Sequence, residues 1–265
     1  MSDDVRRRVI EDLGTESADL DRIVAELDRE DWQTPTPAPG WTIAHQVAHL
    51  AWTDEVAVLA ATEPEEFAAM LKVAADNPDG YVDEVAEQGA RARPPALLAR
   101  WRTTRAALDR CLRGLPEGAK IAWFGPPMRT ASMATARLME TWAHGLDIAD
   151  ALGVEREPTA RLRHVAHLGV RTRGFAYLVR ELDPPEASIR VELTGPGGEL
   201  WTWGPEDAEQ RVVGPALDFC LLVTQRRHVD DLSLVAAGAD AEHWLRIAQA
   251  FAGPPGAGRE PEAAT

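Results

Sequence analysis

Lysine is almost absent from this sequence. Two, Lys72 and Lys120, stand among 265 residues, and the other 26 basic side chains are arginine. Cysteine is as scarce: Cys111 and Cys220 cannot build a disulfide framework, and no CxxC pair offers thiolates to zinc. No apolar run approaches the ~20 residues of a membrane span, which argues against a membrane partner. Met1 to Ile10 is polar and charged, unlike a signal peptide, so a reducing cytoplasm is the expected compartment. Positive charge is short overall, 28 basic against 43 acidic residues for a net −15. Phosphate is repelled over most of such a surface, which argues against a general nucleic-acid binder. No Gly-x-Ser-x-Gly elbow occurs to activate a serine, Ser132 included.

What is present is the balance of a folded globular chain, 45% hydrophobic and 27% charged. At roughly 150 residues per domain, this is one large or two modest domains. Apolar residues at three- and four-residue spacing predict helices over 3–30, about 42–62 with Thr42 as N-cap, 94–114, 131–152 and 159–182. Residues 31–40 carry three prolines and a glycine and read as an extended loop. Residues 63–90 are polar with helical pieces, and 115–129 contain a Gly-Pro-Pro turn. After Asp183-Pro184-Pro185 the period changes. SIRVELT (188–194) alternates as a strand, a glycine-rich turn follows, and ELWTW returns. Helix is expected over 214–227 and 240–251, strand over 232–237, and a disordered tail over 254–265. The expected fold class is α plus α/β: a helical bundle over 1–183, then a small α/β domain over 184–253.

The helix at 131–152 places Arg137, Glu140, His144 and Asp147 within an arc of roughly 80°. Glu140 and His144 are four apart, so their side chains can reach one point, as helical metal ligands do. A second helix carries His45 and His49 at the same spacing. Imidazole and carboxylate together suit zinc, nickel or iron better than calcium. Three ligands from two bundle helices leave a coordination position open, the mark of a catalytic site. A lone E-x-x-x-H is equally met by a surface hydrogen bond, but Glu140 lies among Leu138, Met139 and Trp142, where an unpaired carboxylate is costly.

Two segments carry a resemblance. GWTIAHQVAHLAWTDE (40–55) resembles the "GWT…VxHL" segment of the DinB-like metal-dependent four-helix-bundle superfamily, and RLMETWAHGLDIADALG (137–153) resembles its "RxxExxxHxxDxA" segment. The branch they resemble is the mycothiol-dependent maleylpyruvate isomerase family, which adds a small sterol-carrier-like α/β domain. The resemblance implies metal ligands at His49, Glu140 and His144. It implies a substrate-anchoring arginine at Arg226, with Arg227 beside it; the family's usual preceding glycine is Gln225 here. It also implies mycothiol as cosubstrate.

The expected function is therefore a metal-dependent, thiol-dependent isomerase or transferase acting on a small anionic organic molecule. Arg226 and Arg137 are the candidate anchors. Asp147 and His45 are expected behind the ligands, the first orienting His144. Trp41, Trp52 and Trp142 are expected either to line the pocket or to pack in the core. Zinc is the expected ion, with nickel or iron as alternatives. A hydrolase or lyase using bound water and a non-catalytic small-ligand carrier are the rival readings. The oligomeric state is open between monomer and homodimer.

Overall fold

The structure is a computed structural model that describes residues 3–256 and 258–261. The chain divides into two compact units, the first ending at Arg156 and the second beginning at Glu157. In the first unit, α1 (Asp3–Ala25), α2 (Ile43–Thr62), α5 (Pro94–Gly114) and α6 (Thr130–Leu152) form a four-helix bundle, with α3 (Pro64–Asp76) and α4 (Tyr81–Ala90) against α2. α2 packs on α5 and α6, and α1 packs on both as well. Neighbours on so many sides explain why α2 is apolar almost all round. Ile43, Val47, Leu50 and Val56 are buried, and the buried alanines 44, 48, 51 and 57 let other helices approach. Gly89 of α4 shows how closely: a Cβ there would lie 2.8 Å from Ala48 Cβ.

Trp32 and Trp101 fill the bundle interior with Leu20, Leu97 and Ile148. α6 stops at Gly153, whose φ of 64° is the left-handed helix terminus that glycine takes without strain. The polar stretch expected to hold helical pieces is α3 and α4, joined by a turn in which Gly80 N–H donates to Asn77 Oδ1. The Gly-Pro-Pro turn joins two short antiparallel strands, β1 (Lys120–Ile121) and β2 (Met128–Arg129).

The second unit holds α7 (Leu162–Arg171), α8 (Arg173–Leu178), β3 (Ile189–Thr194), β4 (Leu200–Trp203), β5 (Gln210–Pro215), α9 (Ala216–Val223), β6 (Val235–Ala237) and α10 (Ala239–Ile247). Its sheet runs β4-β3-β5-β6, with β3 and β5 parallel and both outer pairs antiparallel. A helical bundle followed by a small α/β unit is the fold class expected from the sequence.

Three details differ from the sequence reading. The boundary lies at 156/157 and not at Asp183-Pro184, because α7 packs on α9 and α8 on α10. The helix expected over 159–182 breaks at Thr172, whose hydroxyl donates back to Leu168 O at 3.0 Å and Gly169 O at 3.1 Å. The segment 210–215, partly read as helix, is the inner strand β5. It offers only Val212 and Val213 before Gly214 and Pro215, too short an alternation to announce itself. Residues 254–256 and 258–261 hold neither helix nor strand; the rest of the expected tail, 257 and 262–265, lies outside the described residues. Among the described residues, no helix is long and apolar enough to cross a membrane.

Candidate metal centre

α2 and α6 cross so that His49 faces Glu140 and His144. One donor atom from each of the three lies within 4.8 Å of the others. Glu140 Oε2 is the meeting point, 3.0 Å from His144 Nε2 and 3.4 Å from His49 Nε2. Between 10% and 18% of each side chain remains open to solvent, so the cluster is recessed and still reachable. Burial, and then the nearby His144, push the His49 imidazole down to about 4, against the opposing pull of Glu140. Burial raises the Glu140 carboxyl, but its contacts with the His144 and His49 imidazoles outweigh it and hold the group well below the usual carboxylate range. A neutral His49 and an ionised Glu140 are ligating forms.

These residues fit a divalent cation. His49 Nδ1 is buried and has no hydrogen-bond partner among the described residues, while Nε2 has only the long contact to Glu140. An imidazole so poorly bonded in the interior is costly in protein contacts alone. Two nitrogens and a carboxylate oxygen are the donor set of a three-ligand zinc site.

Aromatic rings flank the cluster. Trp41 stacks on His144 with ring centres 5.9 Å apart and planes 18° apart, and lies 5.3 Å from His49. Its Nε1 donates to Asp83 of α4 at 2.8 Å. Trp52 is 6.0 Å from His49 and continues into Tyr81 and Phe124, at 5.9 and 6.1 Å. Trp142 is elsewhere. It is two residues from both Glu140 and His144, hence about 200° around α6 from each, and buried on the far side.

The expected supporting residues are partly reassigned. Arg137 is 2% exposed and committed within the bundle: Nη2 donates to Thr53 Oγ1 at 2.6 Å and Nε to Asp54 Oδ1 at 3.4 Å. Its guanidinium is engaged in a buried ion pair. His45 closes the first turn of α2. Its Nδ1 accepts from Thr42 N–H at 3.1 Å, so Nε2 carries the proton and donates to Glu87 at 2.8 Å. Both ring nitrogens are therefore engaged away from the three clustered donors. Asp147 is buried one turn beyond His144, and the side chain that meets His144 Nδ1 is Gln46. Gln46 went unnoticed in the sequence because an uncharged amide beside a histidine gives no titratable signal.

Arg226 belongs to the second unit, just beyond α9. Its Nη1 donates to Thr224 O at 2.6 Å, and Arg227 Nη1 donates to Arg226 O at 2.7 Å. Gln225 before it has φ 58°, the left-handed conformation in which a glycine is at ease. Neither cysteine is poised as a nucleophile. Burial pushes both thiols up, and Cys220 donates its proton to Leu162 O.

Residues 13–149 match the family model described as the mycothiol maleylpyruvate isomerase N-terminal domain, and residues 185–237 match one described as wyosine base formation. Two proteins from two strains of Mycobacterium tuberculosis, described only as uncharacterized, are each 59% identical over 250 residues. Those matches span 94% of this chain and 97% of the relative. Crystal structures of the mycothiol-dependent maleylpyruvate isomerase and of a histidine-to-alanine mutant of it superpose with a TM-score of 0.57 at 16% identity. They cover 87% and 86% of this chain, and 92% of the other chain in both cases. At that identity the likeness speaks for the fold. With more than half of its length matched by the first family model, the chain belongs to the mycothiol maleylpyruvate isomerase N-terminal domain family.

Proposed function

We propose that the bundle holds one divalent metal ion, zinc first and nickel or iron as alternatives, through His49, Glu140 and His144. With a low-molecular-weight thiol such as mycothiol as cosubstrate, the protein acts as an isomerase or thiol transferase on a small organic molecule. The observation that carries this reading is the convergence of three ligating atoms, from two helices, within 4.8 Å in a recess still open to solvent. An ion bound there supplies Lewis acidity and lowers the pKa of a thiol or water that binds it.

The chain's own residues supply the rest. Trp41 and Trp52 shield the recess and offer flat apolar faces to a substrate. The thiol comes from outside, because Cys220 is buried and the Cys111 thiol is pushed up by burial. Family membership supports mycothiol as that thiol. Arg137 is tied to Asp54, so its guanidinium is engaged within the bundle.

Metal content by mass spectrometry, on protein purified without a metal-affinity tag, tests the reading. About one equivalent is expected in the wild type, and none in His49→Ala, Glu140→Ala or His144→Ala. A metal-free wild type that stays so after reconstitution overturns the proposal. Metal-dependent turnover without any thiol would move it to water-based hydrolysis.

A further inference from the structure

The polar groups behind His144 form a chain whose direction is fixed at one end. The backbone carbonyl of Trp41 can only accept. It accepts from Thr36 N–H at 2.8 Å and from the Thr36 hydroxyl at 2.9 Å. With its proton spent there, Thr36 Oγ1 is an acceptor toward Gln46, whose Nε2 lies 2.8 Å away. The amide is thereby oriented: NH₂ toward Thr36, carbonyl oxygen toward His144. Gln46 Oε1 meets His144 Nδ1, and an amide oxygen can only accept, so Nδ1 bears the proton. The nitrogen turned to Glu140 is Nε2. Gln46 is wholly buried and Thr36 nearly so, so water does not compete for these bonds.

We infer that Gln46, oriented by Thr36 and the Trp41 carbonyl, is a positioning residue that fixes His144 as the Nδ1–H tautomer and directs the Nε2 lone pair to the metal. The inference rests on the metal reading above. It gives Gln46 the orienting role that the sequence pattern suggested for Asp147. Partners of this kind, on the far nitrogen of a ligating histidine, hold the ring in place and raise its basicity. Neither neighbour substitutes for Gln46: His45 is turned to Glu87, and the Nδ1 contact is already occupied.

The experiment compares zinc affinity, by competition with a chromophoric chelator, in wild type, Gln46→Leu, Gln46→Glu and Thr36→Val. Outer partners of this kind change metal affinity roughly 10–100-fold, and a loss in that range is expected for Gln46→Leu. Gln46→Glu, which keeps an acceptor on Nδ1–H, is expected within a few-fold of wild type. Thr36→Val frees the amide to turn over and is expected to fall between them. Melting temperatures identify any variant that is merely unfolded. In parallel, ¹⁵N-histidine spectra of the metal-free protein are expected to show a protected His144 Nδ1–H in wild type and Gln46→Glu, absent in Gln46→Leu. Equal zinc affinity in wild type and a folded Gln46→Leu overturns the inference. So does a wild-type spectrum with the His144 proton on Nε2 alone. If the wild type binds no metal, the metal reading falls, and the spectra still decide whether Gln46 sets the tautomer.

Discussion

Arg137 and Asp54 form an ion pair within the bundle, Nε to Oδ1 at 3.4 Å, with 2% and 5% of their side chains exposed. The pair joins α6 to α2, and Thr53 ties it to the helix that carries His49: its hydroxyl accepts from Arg137 and donates to His49 O at 2.8 Å. Removing one partner leaves a charge buried alone, which costs about 3–5 kcal/mol. Arg137→Met is therefore expected to lower the unfolding free energy by that order in urea titration. A double Arg137→Met, Asp54→Leu variant is expected to recover part of the loss. A substrate-anchoring role would instead leave stability unchanged and raise KM.

The pH response of Asp54 follows from its burial. Desolvation pushes its carboxyl up to about 6 against the pull of Arg137, above its ordinary value of 3.8. A folded-state pKa above the unfolded one favours folding at low pH, and the gain disappears as pH rises through about 6. Relative to Asp54→Asn, the wild type is expected to gain stability between pH 7 and pH 4. Paired urea titrations across that range check the sign.

Asp21 has the opposite sense. The hydrogen bond from Arg102 holds its carboxyl below the ordinary value, against the opposing effect of burial and with help from the Arg105 charge. Arg102 Nη2 approaches at 2.6 Å, and Arg105 also bonds to it and to Ser17 O. A depressed pKa stabilises above the unfolded value and is lost as pH falls through the folded one. Asp21→Asn is expected to cost about 1.5–3 kcal/mol at pH 7, the range of hydrogen bonds to charged groups. The gap to wild type is expected to close below about pH 4.

Gln225 holds a left-handed backbone without being glycine. That conformation costs a residue with a Cβ roughly 1–2 kcal/mol, partly offset by the larger chain entropy that glycine loses on folding. Gln225→Gly is expected to raise the unfolding free energy by about 0.5–1 kcal/mol, measured in the same urea assay. An unchanged or lower stability would mean that the Gln225 side chain contributes more than its backbone costs.

Gly169 on α7 reports the packing that assigns this helix to the second unit. A Cβ there would lie 2.8 Å from Val223 Cγ2 on α9, well inside contact distance. Gly169→Ala is expected to destabilise by about 1–3 kcal/mol through overpacking. Gly169→Ala, Val223→Ala together is expected to lose less than the two single changes added, since the second makes room for the first.

The bundle helices and the Glu140–His144 pair were legible in local spacing, whereas His49 in place of His45 was implied by the resemblance of residues 40–55 to the family's segment. Leu97, Trp101 and Leu108 recur on one face of α5, and Glu140 and His144 are one turn apart on α6. The wheel alone could also have set Trp142 aside, two residues from each donor. What spacing cannot convey is which side chain arrives from another element. Thr36 and Gln46 meet across a loop and a helix, and Arg137 finds Asp54 on a different helix. His45 shares the i, i+4 spacing with His49, but adjacent helical positions diverge by about 100°. His45 and Gln46 therefore face different neighbours, Glu87 for one and His144 for the other. β5 escaped for a related reason, since it is held by parallel pairing with β3, a partner its own six residues do not reveal.

Trp41 meets the site twice, by parts of the residue that vary independently. Its ring lies over His144, while its carbonyl oxygen receives Thr36. Every amino acid at position 41 carries that same oxygen. The ring over His144 can therefore be exchanged while the acceptor that orients the amide behind the histidine persists. The ring contact and the orientation of the amide are separable at this position.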